Sequence, residues 1–78
     1  MNEIETLAWI AEIFQEPVEN IAPDTPRDDI PGWDSLGVLA LIAEMDENFD
    51  ILLEEKELDS LKSVGDLLEL LKRNGKIT

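Results

Sequence analysis

The sequence predicts an all-α fold, a small four-helix bundle of three main helices and one short one, with a long loop between helices one and two. Three observations lead there. Apolar residues recur at three- and four-residue spacing in three separate stretches. Capping pairs stand at the start of two of these stretches, and no stretch alternates with the two-residue period of a strand.

Helix one is expected from Glu3 to Gln15, with Ile4, Leu7, Ala8, Ala11 and Phe14 on one face. Asn2 and Glu5 have the spacing of a capping box at its entry. Pro17, Pro23, Pro26 and Pro31, with Asp24, Asp28, Asp29 and Gly32, then break any regular pattern until Trp33. A loop of this length needs a packing anchor or a function. Trp33 can supply the anchor by burying its ring, or it can lie at the rim of a site; Trp9 reads as packing.

Helix two begins at Asp34 or Ser35 and runs to Phe49, with Val38, Leu41, Ile42, Met45 and Phe49 as its core stripe. A short helical turn follows around Glu55 to Leu61. Ser63 with Asp66 caps the last helix, whose apolar face is Val64, Leu67, Leu68 and Leu71 and which stops before Gly75. No repeat or internal boundary interrupts this order, so residues 1–78 read as one domain.

Composition removes most function classes. The chain has no cysteine and no histidine, so disulfides, thiolate metal sites and the commonest general base are all missing. Its 19 acidic and 6 basic residues give a net charge of -13, which repels phosphate backbones and favours basic protein surfaces as partners. No apolar run approaches a membrane span, and Met-Asn-Glu-Ile-Glu has no signal-peptide character. The expected setting is therefore cytoplasmic, as a monomer that does not bind nucleic acid. Lys72, Arg73 and Lys76 fall near the C-terminal end of the last helix, where cations complement the helix dipole.

The informative segment is Gly32-Trp33-Asp34-Ser35-Leu36-Gly37, which puts a serine at the start of an apolar helix. Catalysis by Ser35 is not expected. Trp33 occupies the first glycine position of a Gly-x-Ser-x-Gly elbow, and no histidine exists to complete a triad. Ser35 is either an ordinary N-cap or a hydroxyl that another protein modifies. A phosphodiester there would lie at a helix N-terminus, where unpaired N–H groups and the helix dipole favour negative charge. Leu36, Ala40, Ala43 and Glu47 fall on a face distinct from the core stripe and beginning beside Ser35. That face either packs under the preceding loop, through Leu36, or docks a partner that must approach Ser35.

In these features the chain resembles the acyl carrier proteins and related peptidyl carrier domains. The likeness rests on Asp34-Ser35-Leu36, on Glu44 to Asp50 closing helix two, and on Ser63-Val64 opening the last helix, and it covers essentially the whole chain. It implies a non-catalytic carrier. A phosphopantetheinyl transferase using magnesium would attach 4'-phosphopantetheine to Ser35, with Asp34 helping to position the metal and the serine. Acyl groups would then ride as thioesters on the arm and be presented to acyl-loading and acyl-transferring enzymes through basic docking patches. The docking residues expected on this chain are Leu36, Ala40, Ala43, Glu44, Asp46 and Glu47. Housekeeping fatty-acid carriers usually have acids in the first turns of this helix, where this chain has Gly37 and Ala40, so a specialised biosynthetic pathway is expected. An acyl chain would tuck between helices lined by Val38, Leu41, Ile42 and Leu67.

Two other readings use the same residues. Asp46, Asn48, Asp50, Glu54 and Glu57 match EF-hand positions with Leu53 at the apolar position, but Ile51 stands where the turn needs glycine. A carrier-fold adaptor without a prosthetic group is the other alternative.

Overall fold

The structure, a computed structural model, describes residues 1–77. Four α-helices follow one another: α1 (Glu3–Phe14), α2 (Ser35–Phe49), α3 (Glu55–Ser60) and α4 (Val64–Arg73). Two 3-10 turns, Val18–Asn20 and Arg27–Asp29, lie in the connection between α1 and α2. The only strand-like pairing among the described residues is an isolated bridge between Pro26 and Ser63.

The helix ends are set by local side chains. Asn2 and Glu5 form the capping box, with Glu5 N–H donating to Asn2 Oδ1 at 2.8 Å and Asn2 N–H to Glu5 Oε1 at 3.1 Å. Ser63 Oγ accepts from Asp66 N–H at 3.3 Å, and Asp66 Oδ2 accepts from Lys62 N–H at 2.8 Å. Glu54 and Glu57 make a second capping box at α3. The C-terminal ends of α1 and α2 are closed by Gln15 and Asp50, both left-handed, at φ 54° and 55°.

The core gathers Ile10, Phe14, Leu41, Met45, Val64, Leu67 and Leu71 at the centre, with Ile51, Leu53 and Ile77 packed around them. On α2 and α4 the buried faces match the periodicity of the sequence. On α1 they do not. Ile4 is 79% exposed and Ala8 is exposed as well, while Thr6, Ile10, Ala11 and Phe14 are buried. The buried face is rotated by roughly a quarter of a turn from the apolar stripe expected of the sequence. Thr6 makes this possible, because its hydroxyl donates to the Asn2 carbonyl at 2.6 Å and enters the core with no unpaired polar atom. Trp9 and Phe49 meet edge to face with centroids 5.2 Å apart, joining α1 to the end of α2.

The long connection is anchored rather than loose. Ile21, Ile30 and Trp33 are buried, and the Trp33 ring stacks on Phe14 with centroids 4.8 Å apart. Its backbone is also tied to the start of α4. Arg27 N–H donates to the Lys62 carbonyl at 2.8 Å, and Val64 N–H donates to the Thr25 carbonyl at 3.0 Å. The residues leading into Ser35 are therefore held by the opposite end of the chain.

Candidate functional site

Ser35 is the first residue of α2, and Asp34 is the residue that caps it. Asp34 Oδ1 accepts from Gly37 N–H at 2.9 Å, while the Asp34 carbonyl accepts from Val38 N–H at 2.8 Å. The N-cap role for Ser35 is thereby excluded. Ser35 is exposed, and its hydroxyl makes no hydrogen bond among the described residues. The N–H groups of Ser35 and Leu36 head the helix without intrahelical partners, at its positive end.

Two glycines bring backbone against backbone beneath this serine. A Cβ on Gly37 would lie 1.9 Å from the Gly32 carbonyl oxygen, and a Cβ on Gly32 would lie 1.9 Å from the Phe14 carbonyl oxygen. The end of α1, the loop at Gly32 and the first turn of α2 thus stack as three layers of main chain. Any side chain at Gly32 or Gly37 would pry them apart, so the glycine that weakens the helix by propensity is required by packing.

Grooves flank the site. One, of about 220 Å³, is lined by Ile13, Phe14, Gly32, Asp34, Leu36 and Ala40 among others. The second, of about 600 Å³ and more open, is lined by Arg27, Asp34, Ser35, Val38 and Leu39. Of the residues expected to line an acyl tunnel, Val38 faces this second groove, whereas Leu41 and Leu67 are fully packed in the core and Ile42 is half-buried.

The outward face of α2 is laid bare. Leu36 is 77% exposed, which overturns the reading in which it packs under the loop. Ala43, Asp46 and Glu47 are exposed, while Ala40 and Glu44 are half-buried. Glu44 Oε2 accepts from Asn48 Nδ2 at 2.6 Å, so part of its capacity is already used. Two residues escaped the sequence reading. Leu39 is 62% exposed; it stands three residues after Leu36 and four after Ser35, a spacing that already put it on this face. Arg27 lies eight residues before Ser35 with no periodic pattern linking the two, and the folding of the loop brings it to the groove.

The EF-hand arrangement does not form. Asp46 and Asn48 lie within the last turn of α2, Asp50 closes that helix, and Glu57 is turned back to accept from Glu54 N–H at 3.3 Å. No cluster of carboxylates suited to a metal ion occurs among the described residues. None of their helices is long and apolar enough to cross a membrane.

The family model described as the phosphopantetheine attachment site matches residues 6–71. The chain belongs to the acyl carrier protein family. An acyl carrier protein of Exiguobacterium sibiricum is 32% identical over 62 residues, covering 80% of this chain and 78% of its own length. One from Desulforapulum autotrophicum is 32% identical over 65 residues, covering 82% and 84%. The solution structure of a holo acyl carrier protein from Geobacter metallireducens superposes with a TM-score of 0.74 at 31% identity, covering 95% of this chain and 86% of that one. The molecule is thus a non-catalytic carrier of 4'-phosphopantetheine that works with enzyme partners. The missing histidine and cysteine accord with this, since a carrier needs an accessible attachment point rather than a base or a nucleophile.

Proposed function

We propose that Ser35 is the attachment point of the 4'-phosphopantetheine arm and that α2 presents the arm to partner enzymes in a specialised biosynthetic pathway. The observation that carries this reading is an exposed serine hydroxyl, unbonded, on the first turn of a helix whose cap is supplied by its neighbour. The site suits the group: a phosphodiester on Ser35 would stand beside the unpaired N–H groups of α2, with open grooves to receive the rest of the arm. When attached, the arm supplies a terminal thiol on which an acyl group is held as a thioester.

The chain's own residues have three tasks. Asp34 fixes the start of α2 with one carboxylate oxygen, which leaves the other free to help a phosphopantetheinyl transferase hold magnesium near the serine. Leu36, with Ala40 and Ala43, offers an apolar patch for the partner to cover. Glu44, Asp46 and Glu47 follow it as an acidic rim that meets basic residues. Because the first turns here are apolar rather than acidic, the fitting partner has an apolar notch with its basic patch displaced toward the end of α2. This departure from an acidic first turn supports a dedicated loading enzyme over the general fatty-acid machinery.

Intact mass spectrometry tests the central assignment. Incubation with coenzyme A, magnesium and a broad-specificity transferase is expected to add one phosphopantetheine to the wild type and none to Ser35→Ala. Addition to Ser35→Ala would overturn it. Binding to the loading enzyme is expected to weaken as salt rises, since exposed charge contacts are screened over a Debye length of about 8 to 10 Å.

A further inference from the structure

We propose that Arg27 holds the phosphodiester of the arm against the groove beside Ser35, acting as a positioning residue for the prosthetic group. This rests on Ser35 being the attachment point. Arg27 is the only Lys or Arg among the first 55 residues, in a chain carrying 19 acids. Its guanidinium carbon lies 5.5 Å from the centroid of the Trp33 ring, over its face, and the side chain lines the same groove as Asp34, Ser35, Val38 and Leu39.

Three features fit this cation to an anion arriving on Ser35. First, the approach to Trp33 is a cation–π contact, and no hydrogen bond among the described residues takes up a guanidinium N–H, so donors remain for two oxygens of one phosphate. Second, those donors are not consumed by neighbouring acids. Asp28 and Asp29 follow Arg27 directly, and Asp28 and Asp59 border a groove on its other side, yet no carboxylate of the described residues comes within salt-bridge distance of it. Third, the residue is fixed at its root: its N–H donates to the Lys62 carbonyl at 2.8 Å and its own carbonyl accepts from Ile30 N–H at 3.1 Å. A cation held in place before the ligand arrives loses little freedom in binding it. Without Arg27, a phosphodiester at Ser35 would face Asp34 with only helix N–H groups to offset the repulsion. Leu39 and Val38 give the remainder of the groove an apolar wall for the uncharged part of the arm.

The test uses the small number of arginines, Arg27 and Arg73. In uniformly ¹⁵N-labelled protein each gives one Nε–Hε cross-peak, and Arg73→Lys identifies which is which. The apo and holo wild types are compared, with loading established by intact mass. Loading is expected to shift the Arg27 peak and slow its exchange with water by roughly two- to fivefold, while Arg73 stays unchanged. Raising salt to about 0.5 M should collapse the difference. In holo Arg27→Gln the phosphodiester ³¹P resonance is expected to move toward that of the urea-unfolded holo protein, and Arg27→Lys should retain part of the folded shift. An Arg27 peak identical in apo and loaded protein overturns the proposal, as does a peak that responds only when the transferase is added. The apo and holo comparison needs no variant at Arg27, so poor folding of Arg27→Gln does not remove the test. A wild type that gains no mass at all overturns the Ser35 assignment instead.

Discussion

The first turn of α2 has an inner and an outer side that obey opposite constraints. Inside, Gly37 presses on the Gly32 carbonyl and Gly32 on that of Phe14, with no room for a single carbon. Outside, Ser35, Leu36 and Leu39 project into solvent and touch little. The two sides are one residue apart in sequence, yet one is packed main chain against main chain and the other is open to solvent. With the arm attached at Ser35 as proposed, this division gives it a rigid seat: the hydroxyl is held in place while its surroundings stay open.

Substitutions can break this contrast. The largest stability effect is expected from Gly37→Ala. Helix propensity alone would favour alanine by about 1 kcal/mol, but the clash with the Gly32 carbonyl should reverse the sign and destabilise by about 1 to 3 kcal/mol or more. Urea denaturation measures it, and a stabilised variant would show that the layered backbone contact is not there. Asp34→Ala comes next, at about 1 kcal/mol for the lost cap. Asp34→Asn keeps the capping oxygen and should stay within a few tenths of wild type, yet both variants should be loaded more slowly by the transferase if the second oxygen assists the metal. Equal loading rates for Asn and Asp would leave the residue a cap and nothing more. The smallest stability effect belongs to Leu36→Ala, expected within about 0.5 kcal/mol because the side chain is exposed. Its effect should appear in partner binding, weakened by about 1 kcal/mol or more if Leu36 is an anchor of the docking patch. Isothermal titration with the loading enzyme measures the difference, and a variant that binds unchanged removes Leu36 from the interface.

Charge sharpens the contrast further. The Lys72 and Glu3 side chains approach to 3.8 Å but are both about half exposed, so this pair adds little to stability. Arg27, by contrast, is held over an aromatic face and is without a carboxylate partner among the described residues. Proximity to acids is common in so acidic a chain, and a cation kept from them is the more informative arrangement.

Much of this was legible from residue order alone. The caps at Asn2 and Ser63 act within three residues, so their hydrogen bonds follow from local spacing, while spacing alone lets α2 begin at Asp34 or Ser35 and the fold places the cap on Asp34. The core stripe of α2 and the strongly one-sided face of α4 were readable for the same reason, since each repeats with the helical period. Helix α1 was not legible in this way, because the apolar stripe expected through Ile4 and Ala8 is exposed while the polar Thr6, off that stripe, is buried. Hydrophobicity cannot report that a hydroxyl will satisfy itself on the turn before it.

What the sequence by itself determined was the set of helices, their starting points and the serine that heads α2, because capping and periodicity act over a few neighbouring residues. Only the tertiary structure decided why Gly32 and Gly37 must be glycine, that Leu36 stands outside rather than under the loop, and that Arg27 lines the groove beside Ser35. The glycines meet main chain from α1 and from the loop, and the loop segment that carries Arg27 is tied to Lys62 and Val64, far along the chain. Contacts of that reach are chosen by how the packed elements fit together, which no local pattern of residues encodes.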